Sequence, residues 1–362
     1  MIMTEKSKQH IDACRFCWMC HHICPIGNAT GLERNTAKAR ALGLSLVTRE
    51  ALTVQDVVDS LYECACCGGC VHDCITGWDP VMFTKEARLQ AALEDALPEY
   101  INTLVDNCLE TGNAYGKTEL DGDLAAAIAK HSAKTDILLF LGVDARYMVP
   151  ESAIKAIKAL EKANVAFTVL ENEPASGQQL EYLISAANET KAQMVSCAAI
   201  LNDYAKVIAY DPQDAKVFKR EYKEWGVECN APIVTYTAFL SELVDNGALK
   251  LKKTDIAVTY QDPFQLARDL GETDEARKVI TACAALKEML CHGAATMWAG
   301  NLLMQQWMKN VILAVAACRL QNAKGVGAKV MVTASVSEYA ALKAVDQTDV
   351  EILSIEELIL EN

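Results

Sequence analysis

The chain has 362 residues, of which 51% are hydrophobic, and this length is enough for roughly two to three domains of about 100–200 residues each. A net charge of -14, from 34 basic and 48 acidic side chains without a basic cluster, argues against a nucleic-acid partner and against binding to anionic lipid. The apolar runs at 137–143 and 311–318 are far shorter than the roughly 18 residues of a membrane-spanning helix, and the first residues lack a signal-peptide pattern, so we expect a cytoplasmic protein without a transmembrane segment.

The N-terminal part of the sequence, residues 1–115, is dominated by cysteine. Nine of the 15 cysteines lie between Cys14 and Cys74. In a reducing compartment we do not expect them to form structural disulfides. Two runs share one spacing: Cys14-x2-Cys17-x2-Cys20-x3-Cys24, followed by Pro25, and Cys64-x2-Cys67-x2-Cys70-x3-Cys74.

This spacing is the one that bacterial ferredoxins use to bind [4Fe-4S] clusters. Three thiolates, each separated from the next by two residues, can surround one cubic cluster, while the following turn carries the fourth cysteine away. In two-cluster ferredoxins that fourth cysteine binds the other cluster. The sequence therefore predicts two [4Fe-4S] clusters, the first held by Cys14, Cys17, Cys20 and Cys74, and the second by Cys64, Cys67, Cys70 and Cys24.

A zinc site is the main alternative for these cysteines. It needs four ligands per ion, usually as two Cys-x2-Cys pairs, and leaves the x3 cysteine and Pro25 unexplained. The second run has Ile75 where proline is usual, and it contains an extra thiol, Cys66, which we interpret as packed or amide-bonded. We do not expect the loop histidines His21, His22 and His72 to be ligands. We do not expect Trp18 and Trp78 to be ligands either, and we expect them to shield the clusters from water.

Helical patterns surround the cysteine runs. Residues 33–63 place apolar side chains at spacings of three and four, and residues 81–110 continue this pattern with an interruption at Pro98. The 39 residues between Cys24 and Cys64 are far more than the hairpin spacer of a compact bacterial ferredoxin. Residues 1–115 are therefore predicted to form an α-helical ferredoxin domain, and residues 111–116 a linker.

Residues 117–251 alternate between strand and helix patterns. Strands are predicted at 137–143, 166–170, 193–197 and 231–236, with a helix at 151–163 after the first of them. Alternation of this kind is typical of an α/β layer structure with parallel strands. The fold class is therefore α+β or α/β, with several domains.

Residues 252–362 repeat the alternation of strand and helix patterns seen in 117–251. The segment 254–260 matches 135–141, and the segment 329–334 matches 192–197. These two parts are therefore predicted to be an internal duplication. Gly325-x-Gly327 precedes a strand instead of following one, so we interpret it as a turn and not as a dinucleotide fingerprint.

The cysteine motifs, together with Arg34–Leu42 between them and Thr76-Gly77 after them, resemble a known family. This is the group of iron-sulfur subunits that includes the heterodisulfide reductase catalytic subunit, the glycolate oxidase iron-sulfur subunit and the anaerobic glycerol-3-phosphate dehydrogenase iron-sulfur subunit. The resemblance covers nearly the whole chain. It implies an α-helical ferredoxin followed by two copies of a cysteine-rich α/β domain, at 117–251 and 252–362.

In that family the C-terminal cysteines can hold a further metal centre, and here most of them are replaced. The departures fall at Gly142-Val143, Ala175–Gly177, Cys197–Ile200, Tyr260–Phe264, Met297–Ala299 and Ala334–Ser337. Thiolates are the ligands, and the replacing side chains cannot take their place. We therefore expect a retained scaffold without its metal centre. We expect Asp262 to cap a turn. The other thiols are expected to be mainly small buried side chains, namely Cys108, Cys197, Cys229, Cys283, Cys291 and Cys318.

The resemblance implies an iron-sulfur electron-transfer subunit, itself non-catalytic, of an anaerobic oxidoreductase complex. It would relay single electrons between an FAD-linked oxidase-type flavoprotein subunit and another redox partner, such as an electron-transferring flavoprotein or a quinone-linked subunit, in a hetero-oligomer. Two alternatives stay open from the sequence. One is a reductase with its own active site in the C-terminal half, and the other is a redox sensor or an assembly scaffold.

Overall fold

A computed structural model describes residues 3–15, 17–346 and 349–362. The α-helices are α1 (Glu5–Ile11), α2 (Met19–Ile23), α3 (Pro25–Thr30), α4 (Ala37–Thr48), α5 (Val54–Tyr62), α6 (Gly69–His72), α7 (Pro80–Leu93), α8 (Glu99–Thr111), α9 (Gly122–Ala129), α10 (Val143–Tyr147), α11 (Pro150–Lys162), α12 (Gln178–Ile184), α13 (Asn188–Leu201), α14 (Pro212–Lys216), α15 (Tyr222–Glu224), α16 (Tyr236–Asp245), α17 (Glu275–Cys283), α18 (Leu302–Gly325), α19 (Val336–Lys343) and α20 (Ile355–Leu360). The strands are β1 (Ile137–Phe140), β2 (Lys206–Ala209), β3 (Ile233–Thr235), β4 (Ala257–Gln261), β5 (Ala285–Leu286), β6 (Val330–Thr333) and β7 (Glu351–Ser354).

All regular structure among the described residues before β1 is helical. Helix α5 begins with a reciprocal capping box, in which Thr53 and Asp56 each bond the other's backbone amide. Helix α7 begins at Pro80, with the Asp79 carboxylate accepting from two amides of the first turn. The helices predicted within 33–63 and 81–110 are confirmed, as is the interruption at Pro98, which directly precedes α8.

The rest of the chain contains two parallel sheets. One has the strand order β1-β2-β3, and the other has the order β5-β4-β6-β7. Leu139 pairs with Ile208 in the first sheet, and Tyr260 pairs with Val332 in the second. Their strands are largely buried, as expected for parallel strands covered by helices. The mixture of helices and parallel sheets confirms the α/β class.

Two of the predicted strands are wrong. Residues 193–197 lie in helix α13, whose buried residues Met194, Cys197, Ala198 and Leu201 follow a helical spacing of three and four. The strand between β1 and β3 is instead β2, a short run that the sequence analysis did not identify. Residues 166–170 form only an isolated bridge, between Thr168 and Leu138. The predicted match of 329–334 with 192–197 therefore pairs a strand with a helix and is wrong.

The N-terminal helices pack directly on the two-sheet part. The Tyr62 hydroxyl donates to the Leu183 carbonyl at 2.6 Å, and the Trp307 indole donates to the Tyr62 carbonyl at 3.2 Å. One hydrophobic cluster includes residues of the N-terminal helices and of both sheets, and a second cluster includes residues of α13 and of the first sheet. In the described part of the chain, none of the helices combines the length and apolarity that a membrane span requires.

Candidate functional site

The two cysteine runs fold into similar loops. In each run a residue in the left-handed conformation precedes a short helix that carries the third cysteine. These residues are Trp18, with φ 68°, before α2, and Gly68, with φ 73°, before α6. Cys24 then forms the N-cap of α3, where its sulfur accepts from the Gly27 amide at 3.4 Å. The described parts of the two runs thus share a left-handed residue and a short helix that carries the third cysteine.

Each loop borders one cavity, and each cavity has an empty volume of about 380 Å³. The first cavity is lined by Cys14, Cys17, Cys20 and Cys74. The second is lined by Cys24, Cys64, Cys67 and Cys70. In both, the fourth cysteine of one run meets the first three of the other run, which is the arrangement that the ferredoxin spacing predicts.

The thiols surround these spaces and do not converge on a point. Among the described residues, no group of three or more His, Cys, Asp or Glu side chains is arranged to hold a single metal ion. Four thiols around an open volume instead fit a cluster whose irons each take one cysteine.

Burial affects the protonation of these thiols. It raises the pKa of both Cys20 and Cys67 to about 11, because the charged form loses water. Burial also raises the pKa of Cys74, but hydrogen bonds from Thr76 and the following amides outweigh it and hold that pKa below its usual value. Binding iron must therefore displace a proton from Cys20 and from Cys67.

Three arginines lie beside the second cysteine run, and one of them, Arg40, lines the second cavity; they support its fit to an anionic group. Arg40 is 3% exposed and lines the cavity; its Nη1 donates to the Asn35 carbonyl at 2.9 Å, and its Nε has no partner in the described structure. Arg88 is fully buried and donates to three backbone carbonyls, those of Leu61, Cys64 and Tyr182.

Arg268 reaches the same loop from the C-terminal half. Its Nε donates to the Cys67 carbonyl at 2.8 Å, its Nη1 donates to the Thr296 carbonyl at 2.6 Å, and its Nη2 is buried without a partner among the described residues. The arginines that form ion pairs with carboxylates in the described residues are Arg34, Arg49, Arg220 and Arg277.

Arg40, Arg88 and Arg268 are thus cations without a carboxylate partner. Buried charges are stable only when they are compensated. Burial alone would lower the pKa of Arg40, but the neighbouring sulfurs of Cys64 and Cys24 raise it. Thiolates of the second cavity, formed when a cluster binds there, would provide the compensating charge.

The first cavity is more open to water. Cys17 is exposed, and Trp18 is 49% exposed with the Lys38 ammonium 3.2 Å from its ring centroid. Ile75 is 88% exposed. Trp78, in contrast, is 2% exposed, and its indole donates to the His10 carbonyl at 2.5 Å. Of the two tryptophans predicted to shield the clusters, Trp78 is buried and Trp18 is covered only in part.

The extra thiol and the loop histidines lie outside both cavities. Cys66 is buried with φ 52°, and its amide donates to the Cys64 sulfur at 3.4 Å. His21 contacts the Glu33 carboxylate at 2.5 Å, and His72 contacts Asp73 at 2.8 Å. The placement of these side chains agrees with the interpretation that they are not ligands.

The C-terminal half carries buried carboxylates where its strands end. Asp144 accepts from the Tyr115 hydroxyl at 2.7 Å and also from the Ser337 hydroxyl, which joins the two sheets. Asp211 and Asp214 follow β2, and burial together with the nearby Asp144 raises the pKa of Asp211 to about 8. Burial raises the pKa of all three carboxyl groups, which accept hydrogen bonds from neighbouring hydroxyl and amide groups and provide no thiolate.

Sequence reasoning missed these carboxylates, although a signal for them exists. Asp211-Pro212 follows β2 as Asp262-Pro263 follows β4, and a π-helical turn comes shortly after each pair, at Val217–Glu221 and Gln265–Asp269. Asp262 itself pairs with Arg277 at 2.6 Å and accepts from the Gly293 amide at 2.8 Å. The carboxylate therefore links β4 to two distant segments, and among the described residues it does not form the expected cap of the turn at Pro263. The cysteines Cys108, Cys197 and Cys283 are buried, Cys229 and Cys291 are half-buried, and Cys318 is exposed.

The similarities to known proteins include the following three. The sequence is 23% identical over 316 residues to one of the subunits of the dihydromethanophenazine:CoB–CoM heterodisulfide reductase of Methanosarcina mazei, covering 79% of this chain and 76% of that protein. It is 32% identical over 139 residues to a probable iron-sulfur-binding oxidoreductase of Bacillus subtilis, covering 36% of this chain and 19% of that protein. A hypothetical protein from Helicobacter pylori has a similar fold, with a TM-score of 0.53 and 11% identity, covering 99% of this chain and 72% of that one. No protein-family model matches the sequence.

Proposed function

We infer that this chain, a relative of the Methanosarcina heterodisulfide reductase polypeptide at low sequence identity, is an iron-sulfur electron-transfer subunit of an oxidoreductase complex. The observation that carries the inference is the crossed arrangement of the two cysteine runs around two separate cavities. A bound [4Fe-4S] cluster supplies a one-electron couple. Two such couples suit a partner that gives up two electrons in sequence, as a reduced flavin does.

The residues have separate tasks in this role. Cys14, Cys17, Cys20 and Cys74 hold the first cluster, and Cys24, Cys64, Cys67 and Cys70 hold the second. Arg40, Arg88 and Arg268 balance the charge of the second site, and Trp78 keeps water from the first.

The first site is the proposed contact with the redox partner. The side chains around Cys17 and Cys74 are exposed and apolar, namely Trp18, Met19 and Ile75. Exposed apolar side chains grouped in this way mark interaction surfaces. The proposed partner is an FAD-linked oxidase-type flavoprotein subunit, with an electron-transferring flavoprotein or a quinone-linked subunit as the other redox partner.

The C-terminal half is proposed to be a docking scaffold, with units at about 117–251 and 252–362 following a ferredoxin-type unit at 1–115. Its strand ends offer serines and hydrogen-bonded carboxylic acids where the family has cysteines. Neutral acids and hydroxyls do not replace thiolates as ligands of an iron-sulfur centre. The reductase alternative therefore has no support from these residues.

The test is a measurement of iron and acid-labile sulfide per chain in anaerobically purified protein, with EPR spectra after reduction by dithionite. About eight irons per chain, from two clusters with four cysteines each, are expected. Cys20→Ser and Cys70→Ser, one for each set, are each expected to remove or alter a single cluster, whereas Cys318→Ser is expected to change nothing. A content of about four irons, or of zinc, would overturn the proposal.

A further inference from the structure

The surroundings of the two cavities differ in charge, and this difference bears on where an electron resides. Arg40, Arg88 and Arg268 all contact or face the loop of the second cysteine run, and none is neutralised by a carboxylate among the described residues. One acid, Glu63, lines the second cavity, and it is paired with Arg34 at 2.5 Å. The fixed charge beside the second site is therefore strongly positive.

The first cavity has a different environment. Its two basic lining residues are Arg15 and Lys38. Arg15 is exposed, and Lys38 lies on the half-exposed ring of Trp18. Water and salt screen charges in such positions, whereas charges in a buried site are screened much less.

We propose that Arg40, Arg88 and Arg268 make the second site the more oxidising of the two, so that the first electron delivered to the protein comes to rest there after entering through the first site. This inference rests on the proposed function. An added electron increases the negative charge on a cluster by one, and nearby cations and hydrogen bonds to its sulfurs stabilise that charge. No bond to a substrate forms or breaks, and each site takes up a single electron.

Two further observations favour the second site as the resting place. The Nε of Arg40 and the Nη2 of Arg268 are buried donors without partners in the described structure. A sulfur atom of a cluster in the adjoining cavity is an acceptor for the Arg40 donor. Exposure to water also stabilises the added charge of a reduced cluster at the first site, and this works against the preference of the electron for the second site. The buried cations Arg40 and Arg88 and the half-buried Arg268, none of them in an ion pair, outweigh it because their charge is fixed and poorly screened.

The experiment is a stepwise reductive titration with dithionite, in which the two EPR signals are followed against potential in the full-length, cluster-loaded protein. The signals are first assigned in fully reduced protein with Cys20→Ser, which alters the first site, and Cys70→Ser, which alters the second. In the unaltered protein, the second-site signal is expected to appear at the higher potential.

Arg40→Gln and Arg268→Gln remove one cation each and are expected to lower the midpoint potential of the second site while leaving that of the first unchanged. Arg40→Lys keeps the charge, so the midpoint potential of its second site is expected to lie close to that of the unaltered protein. A purely structural role of Arg40 would not predict this result. Arg49→Gln is the matched control, because Arg49 follows the same helix but is exposed and paired with Asp12 at 3.3 Å.

Two results would overturn the inference. One is that the first-site signal appears at the higher potential. The other is that neither glutamine variant moves the second-site midpoint. Both can occur in a protein with eight irons, and the proposed function would then survive. An iron content too low for two clusters would instead overturn the proposed function, and this inference with it.

Discussion

The hydroxyl of Tyr182 in α12 donates to the carbonyl oxygen of Cys64 at 2.6 Å, although 118 positions separate the two residues. The Arg88 guanidinium joins them, because it donates to the Cys64 carbonyl at 2.8 Å and to the Tyr182 carbonyl at 2.6 Å. A helix from the two-sheet part thus holds the first cysteine of the second run in place. The C-terminal half thereby supports the backbone of a cluster loop.

We predict that Tyr182→Phe loosens the second cysteine loop. Loss of one buried hydrogen bond is expected to cost about 1 kcal/mol of stability. The measurement is the rate at which an iron chelator removes iron from the oxidised protein, and one of the two clusters is expected to be lost faster.

Tyr62→Phe is the matched control for this change. Tyr62 is also buried, and its hydroxyl donates at the same distance of 2.6 Å to the carbonyl of Leu183 and not to that of a cysteine. Its cost in stability is expected to be similar, but its rate of iron loss should equal that of the unaltered protein. Equal rates of iron loss in the two variants would show that the contact with Cys64 has no special role.

The cysteine loops could be predicted from the sequence, but the side chains that contact these loops from distant parts of the chain could not. The spacing of Cys14 to Cys24 and of Cys64 to Cys74 is local, so it specifies the loop chemistry directly. The family resemblance derived from it is confirmed by the similarity to the Methanosarcina heterodisulfide reductase polypeptide. Arg268, in contrast, meets Cys67 across 201 positions, and a lone arginine in a helical pattern gives no signal of such a contact.

The errors in the predicted strands have a similar cause. The short apolar run at 193–197 fits both a buried strand and a buried helix, and only its packing against neighbouring elements decides between them. The strand β2 begins five positions after the end of α13, in a stretch where the sequence analysis placed no element. Whether the two sheets represent a duplication stays a prediction.

We predict that Gly142→Ala is strongly destabilising. Gly142 has φ +84°, and a Cβ there would overlap the carboxylate of Asp214. Strain in the backbone and overpacking together are expected to cost about 2–4 kcal/mol in the free energy of unfolding. Urea unfolding monitored by circular dichroism measures this loss.

Gly122→Ala provides the comparison for that experiment. Gly122 begins α9, and a Cβ at this position would meet nothing within 4 Å. It is expected to leave stability unchanged or to raise it by about 0.4–1 kcal/mol, because alanine restricts the unfolded chain. A Gly142→Ala protein as stable as the Gly122→Ala protein would contradict the described packing at β1.

The pH dependence of stability should be altered by Glu338→Gln. Burial raises the pKa of Glu338 to about 8, although it accepts hydrogen bonds from the Ala299 amide and from Gln261. A carboxyl group with a raised pKa in the folded state binds its proton more tightly there than in the unfolded chain. Its contribution is therefore complete below about pH 4 and is lost as the pH rises towards 8.

Glutamine at position 338 cannot ionise, so the variant is expected to lose less stability than the unaltered protein between pH 5.5 and 8.5, by on the order of 2–5 kcal/mol. Glu357→Gln should act in the opposite direction: although burial raises the pKa of Glu357, hydrogen bonds from Lys155 and Ser354 outweigh it and lower that pKa, so its contribution is lost as the pH falls. Unfolding midpoints in urea from about pH 3 to 8.5 measure both slopes, because the Glu357 contribution changes only below about pH 4.5. Parallel curves for the Glu338 variant and the unaltered protein above pH 5.5 would contradict the prediction.

Alkylation of thiols distinguishes the proposed ligands from the other cysteines. Cys17 and Cys318 are both exposed, whereas Cys197 is fully buried. In cluster-free protein, iodoacetamide is expected to modify Cys17 and Cys318 rapidly and Cys197 very slowly, because only an accessible thiolate reacts. In cluster-loaded protein, Cys17 is expected to be protected at least tenfold, since its sulfur would bind iron, while Cys318 stays reactive. Peptide mass spectrometry after short exposure gives the extent at each position. Protection of Cys318 along with Cys17 would indicate a general loss of access, and reaction of Cys17 at the same rate in both forms would remove it from the ligand set.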